Sequence, residues 1–226
     1  MLTDFFQHLA GSFPALLKGA IYTVLVAVLS MSLGLSLGLF VCLGKISQRR
    51  WLRVLCSGYI DVFRGTPLLV QILFIYFGFP SLLQQIFQQP FPFNPLVAGT
   101  VAFTLNAAAY IAEILRAGIA SLGKGQLEAA ESLGLSYVQA MRFVILPQAL
   151  RRMIPALGNE FVTLLKDTSL LSAIAVTEIV KEGRLYISRT YAAFPTYFAI
   201  ALLYFALTFV ATRLFNRLEE RFKIHD

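Results

Sequence analysis

Apolar residues fall in long unbroken blocks along this chain, not in the alternating or helical stripes of a water-soluble core. No charged residue occurs from Gly19 to Gly44, and a membrane-crossing helix needs about 20 predominantly apolar residues. None occurs from Gly65 to Ala112 either, which is room for two crossings with a turn between them. The stretch QQIFQQPFPFNP, residues 84–95, supplies that turn, because its three prolines break helices. A last clean block runs from Thr190 to Thr212. The first block exceeds the short core of a secretory signal, and no small-residue cleavage site follows it, so it reads as a retained span.

Composition agrees. The 226 residues are 58% hydrophobic and 14% charged, against about 25% charged for soluble domains. The net charge of +7 does not point to nucleic acid, because the basic residues make no common face. They gather at the ends of apolar blocks: Lys45, Arg49, Arg50 and Arg53; Arg142, Arg151 and Arg152; Arg213, Arg217, Arg221 and Lys223. That is the positive-inside distribution. It puts the loop at 45–53, the loop at 116–152 and the C-terminal tail in the cytoplasm, and the N-terminus outside.

Parity then demands five crossings, near 19–44, 60–80, 96–120, 152–172 and 191–214. The fourth rests on loop parity, not hydropathy. Only thirteen residues lie between Arg152 and Lys166, and Glu160 interrupts them. Thirteen helical residues rise only about 20 Å against a core of about 30 Å, so that crossing extends through Asp167 or begins among snorkelling arginines. Residues 178–191 are then an external amphipathic helix or loop. The expected fold is a single all-α membrane domain over 1–226.

The most specific motif is the loop EAAESLGLSYVQAMRFVILP, from Glu128 to Pro147, within a polar stretch at 124–147. Glu128, Ala129 and Ala130 open a short helix. Gly134 suits its C-terminal cap, where a positive φ favours glycine, and Pro147 starts or kinks the next helix. This pattern resembles the cytoplasmic EAA loop of ATP-binding-cassette (ABC) importer permeases, departing only at Val144, where Ile is usual. The alternative is an ordinary loop helix lying on the membrane surface.

The resemblance extends outward. Phe63-Arg64-Gly65-Thr66-Pro67 with the run to Pro80, Asn106 to Glu113 with Arg116, Leu157 to Phe161 and Leu165 to Leu170 are similar to the polar amino acid subfamily of type I permeases. The match covers residues 18 to 222. It implies a five-helix core pairing with a like permease subunit, homo- or heterodimeric, in a bacterial inner membrane. It also implies two ABC ATPase subunits docked at the loop and an external amino acid-binding protein. ATP and magnesium would sit on the ATPases, leaving this chain without cofactor or enzymatic activity.

Ionisable groups inside the apolar blocks are the next signal, since each costs roughly 2.5–3.5 kcal/mol at a helix centre. Asp61 and Arg64, and Glu113 and Arg116, stand three apart and suit local ion pairs that fix helix ends. Glu160 has no basic residue three or four positions away and falls near mid-membrane. Asn106 lies at comparable depth. An amide and a carboxylate suit an amino acid's ammonium group, so Asn106 and Glu160, with Asn159, are candidates for the solute path. Alternatively, Asn106 braces a helix interface and Glu160 is protonated or pairs with a neighbouring subunit. The substrate's side chain is left open.

Other features lead away from chemistry on this chain. Gly118 to Lys124 fits G-x-x-x-x-G-K, but Gly125 replaces the magnesium-binding hydroxyl and an apolar helix precedes it where a strand belongs. His8 and His225 sit at opposite ends and form no metal set. Cys42 and Cys56 read as small buried hydrophobes. A secondary transporter would carry internal repeats with paired broken helices, and an integral membrane enzyme would need a convergent nucleophile, base or metal set. Neither is evident.

Overall fold

In a computed structural model, which describes residues 2–222, the chain is all helical. Lys223 and His225 lie outside the described residues. Helix α1 spans Leu2–Ile46, α2 Arg50–Gly65, α3 Leu68–Leu73 and α4 Phe79–Phe87, the last two joined by a π-turn at Phe74–Gly78. Then come α5 (Pro95–Ala120), α6 (Lys124–Ser132) and α7 (Tyr137–Ala140), followed by a second π-turn at Met141–Ile145. Helix α8 covers Leu146–Asp167 and passes into a 3-10 segment, Thr168–Ile174. Helices α9 (Ile179–Thr190) and α10 (Ala193–Phe222) complete the order.

Among the described residues, four helical stretches are long and apolar enough to cross a membrane: Leu2–Ile46, Leu68–Phe87, Pro95–Ala120 and Ala193–Arg221. Helix α8 has the length of a crossing, at about 33 Å for its 22 residues. Its charged residues, Arg151, Arg152, Glu160, Lys166 and Asp167, keep it from reading as apolar.

Two boundaries differ from expectation. Helix α1 is 45 residues long and starts at Leu2, not near residue 19. Its early part carries Asp4, His8 and Lys18, which end the apolar block without ending the helix. Leu16 of that part is buried with Ile179, Ala199 and Ile200 of α9 and α10. The crossing expected at 60–80 straddles a break: α2 stops at Gly65, and a new helix begins after Pro67. Helix α5, by contrast, begins one residue before the expected 96–120, with Asn94 accepting from the Leu96 amide at 2.9 Å as its N-cap.

Helix α5 is the hub. Phe103, Ala107, Ala108, Ala109, Ile111 and Ala112 are fully buried. Gly34 and Gly38 of α1, four apart, let the two backbones approach. A Cβ on Gly38 would stand 2.9 Å from the Ala108 carbonyl oxygen, and one on Gly34 3.0 Å from the Ala107 Cβ. Small residues at this spacing are how helices pack where burial from water offers no driving force. Large apolar side chains such as Phe40, Phe74, Phe205 and Val210 point outward, which suits lipid or a partner subunit and not water.

Both π-turns end one residue before an X-Pro pair, Phe79-Pro80 and Leu146-Pro147. A proline ring collides with the carbonyl four residues back in a regular helix. The wider turn, seen where the Phe79 amide reaches back to Phe74 O, relieves that clash while the helix continues.

Candidate solute cleft and coupling loop

Pro67 has no N–H, so the carbonyl four residues earlier, on Phe63, loses its helical donor. Two side chains replace it. Gln71 Nε2 donates to Phe63 O at 2.8 Å and Asn106 Nδ2 at 3.2 Å. Asn106 Nδ2 also donates to Gln71 Oε1 at 3.0 Å. Gln71 Nε2 further reaches Thr66 O at 3.0 Å and Thr66 Oγ1 at 2.9 Å, while that hydroxyl donates to Val62 O at 2.8 Å. Side chains of Gln71, Asn106 and Thr66 thus take the place of the helical bonds lost at the break.

The break opens one wall of a cleft of about 400 Å3, lined by Arg64, Thr66, Asn106, Tyr110, Glu160 and Asp167 among others. Asn106 comes from α5 and Glu160 from α8, so residues far apart in sequence meet here. Asn106 is 7% exposed; it braces the α2–α3 break and also lines the cleft. Asn159 does not join them. It lies about 100° further round α8 and lines a separate groove against α10 with Pro155, Thr212 and Asn216.

The ion pairs differ from the local pattern expected. Glu113 and Arg116 do pair, at 2.9 Å. Glu113 also holds Lys45 of α1 at 2.5 Å and stands 3.9 Å from Arg64 of α2. Asp61 is exposed and makes no ion pair among the described residues. Its expected partner, Arg64, instead lies over the Tyr110 ring, 5.2 Å from the centroid, and turns to Glu113. A carboxylate shared by cations from neighbouring helices outcompetes an exposed partner three residues away, because solvent screens the latter.

The loop is built locally. Helix α6 covers Glu128, Ala129 and Ala130, and Gly134 adopts φ +83° just past its end. The Gly134 amide donates to Glu131 O at 2.9 Å and the Leu135 amide to Ala130 O at 3.2 Å, the paired bonds of a Schellman cap. Ser136 and Gln139 then form a capping box that starts α7. Ala130 faces inward at 3% exposure. Leu133, Tyr137, Val138 and Phe143 are all more than half exposed. Gln148 Nε2 donates to Gln126 Oε1 at 3.3 Å and Arg152 to Ser121 O at 2.7 Å, tying the loop's start to α8.

Sequence reading missed Gln71, Tyr110, Asp167 and Glu178. A single glutamine four residues after Pro67 was the available signal for Gln71. Glu178 is fully buried and caps α9, accepting from the amides of Val180 and Lys181 at 2.7 Å each and from the Tyr204 hydroxyl at 3.0 Å. Burial pushes its carboxyl above the ordinary range, against these three bonds.

Comparison with known proteins identifies the class. Residues 30–224 match the family described as the binding-protein-dependent transport system inner membrane component, and the chain belongs to that family. It is 40% identical over 211 residues to a probable amino-acid ABC transporter permease, YckA, of Bacillus subtilis, covering 93% of this chain and 90% of the relative. It is 38% identical to the glutamine transport system permease GlnP of Escherichia coli, covering 93% and 94%. A crystal structure of an amino acid ABC transporter with histidines superposes with a TM-score of 0.86 at 39% identity, covering 94% of this chain and 96% of that one.

Proposed function

We propose that this chain is the membrane subunit of an ATP-driven importer that passes a polar amino acid from an external binding protein into the cell. It would work as a single membrane domain in a bacterial inner membrane, paired with a like subunit and two ATPase subunits. The topology is five crossings, with α8 as the fourth, the N-terminus outside and the C-terminus inside. The observation that carries this reading is the convergence of Asn106, Glu160 and Arg64 on one cleft beside a broken helix. A carboxylate, an amide and a guanidinium match the ammonium and carboxylate of an amino acid.

The α6 helix and the apolar residues after it are the contact for the ATPase. Nucleotide binding would close the ATPase pair and, through Glu128 to Gly134 and on to Pro147, bias the bundle towards its outward-open packing. Hydrolysis would release it, a population shift driven by differential contacts in the two states. The test is solute-stimulated ATP hydrolysis by the reconstituted complex carrying Glu160→Gln or Asn106→Ala. Loss of solute stimulation with basal hydrolysis retained supports the cleft; stimulation unchanged in both variants removes it from the path.

A further inference from the structure

A second cleft, of about 510 Å3, lies on the loop side of Arg64 and is lined by Arg64, Tyr110, Glu113, Ser121 and Arg152. Arg64 and Tyr110 also line the first cleft, so the two spaces share one wall. The charge balance inverts across that wall. On the Asn106 side, two carboxylates, Glu160 and Asp167, face the Arg64 guanidinium. On the loop side, two guanidiniums face one carboxylate, and that carboxylate, Glu113, is already engaged by Lys45 at 2.5 Å and Arg116 at 2.9 Å. Arg152 is tethered by one nitrogen only, which donates to Ser121 O at 2.7 Å and Ser121 Oγ at 3.3 Å. Its other nitrogens make no hydrogen bond among the described residues.

From this inversion we propose that the loop-side cleft is a second binding station for the carboxylate of an amino acid, with Arg152 as its anchor and Arg64 as the group shared with the first. This rests on the importer reading. A solute leaving the first cleft keeps its ammonium end among acidic groups until last, while its carboxylate passes from Arg64 to Arg152. Forked guanidiniums favour that transfer because each presents paired donors matched to a carboxylate. The same station, reached from the cytoplasm, would let accumulated amino acid slow further import.

The test uses the full complex in phosphatidylcholine vesicles, which keeps anionic headgroups away from the cleft. ATPase subunits face the bath, and the binding protein is enclosed with L-glutamine, L-arginine, L-lysine or L-histidine, whichever stimulates hydrolysis from inside. The same amino acid is then titrated into the bath. It should inhibit, its α-carboxamide should inhibit at least about tenfold more weakly, and Arg152→Gln should weaken inhibition by about tenfold or more. If Arg152→Gln fails to assemble, Arg152→Lys, which keeps charge but loses the fork, should weaken it in the same direction. No inhibition of the native complex, or inhibition indifferent to Arg152, overturns the second station while leaving the importer reading intact. Absence of stimulation by any enclosed amino acid removes the importer reading and the station with it.

Discussion

The cleft wall and the α6 loop solve opposite problems with opposite means. At the cleft, a proline interrupts the helical path, and Gln71 of α3 and Asn106 of α5 converge on the carbonyl it leaves without a donor, with Thr66 joined through Gln71. At the loop, all the bonds are local: a glycine cap, a capping box and two tethers to α8. The wall's bonds run between elements distant in sequence. The loop has a fixed shape but leaves Leu133 and Val138 bare, at 83% and 71% exposure. Under the proposed function, the part that would hold solute is preorganised and the part that would receive motion presents a surface.

Substitutions should separate the two regions. The largest effect is expected at Glu113. Glu113→Ala leaves Lys45, Arg64 and Arg116 without their shared carboxylate, and losing several charge-assisted hydrogen bonds at once costs about 2–3 kcal/mol after screening of the half-exposed arginines. Thermal unfolding of the purified complex should show it, with Asp61→Ala as a near-neutral control. Gln71→Ala comes next. It removes the main donor to Phe63 O, and an unsatisfied buried acceptor costs about 1–3 kcal/mol. Asn106, at 3.2 Å, offsets part of that. Gly134→Ala, in the loop, should cost about 1–2 kcal/mol locally because φ is +83°. Its signature is different: amino acid binding is retained while solute-stimulated hydrolysis falls. Equal losses of binding and coupling in Gln71→Ala and Gly134→Ala would dissolve the distinction between the regions.

The smallest effect concerns pH. Glu178 caps helix α9, and burial raises its carboxyl above the ordinary 4.5. Between that value and the raised one, the folded state binds more proton than the unfolded chain. Its contribution to stability therefore falls as pH rises through that window. Melting temperatures measured from pH 4 to 8 should show a shallower decline in Glu178→Gln than in the native chain.

The same contrast explains what was legible in the sequence. The loop could be read because its determinants are neighbours: Glu128, Ala129 and Ala130 in helix, Gly134 at the cap. The break at Pro67, by contrast, fell inside the crossing expected at 60–80. Long apolar blocks marked the crossings, since solvent preference is a property of each residue. What could not be read depends on which helix faces which. Arg64 turns to Glu113 instead of Asp61, and Asn159 turns away from Glu160, because helix rotation is set by packing. Gly34 and Gly38 decide how α1 meets α5, but nothing in an apolar run says that two glycines four apart face an alanine-rich neighbour. The length of α1 was hidden because polar residues end an apolar block without ending a helix.

Under the proposed function, the exposed apolar turn after α6 seats in an ATPase partner and carries its motion to the cleft. The most direct measurement is disulfide trapping in membranes, with Leu133→Cys or Val138→Cys in a Cys42→Ala, Cys56→Ala background and single cysteines across the surface of the ATPase. Cross-links at a restricted set of ATPase positions, stopping import until reduced, are the predicted result. Import that proceeds at full rate while no ATPase position ever traps the loop would contradict it.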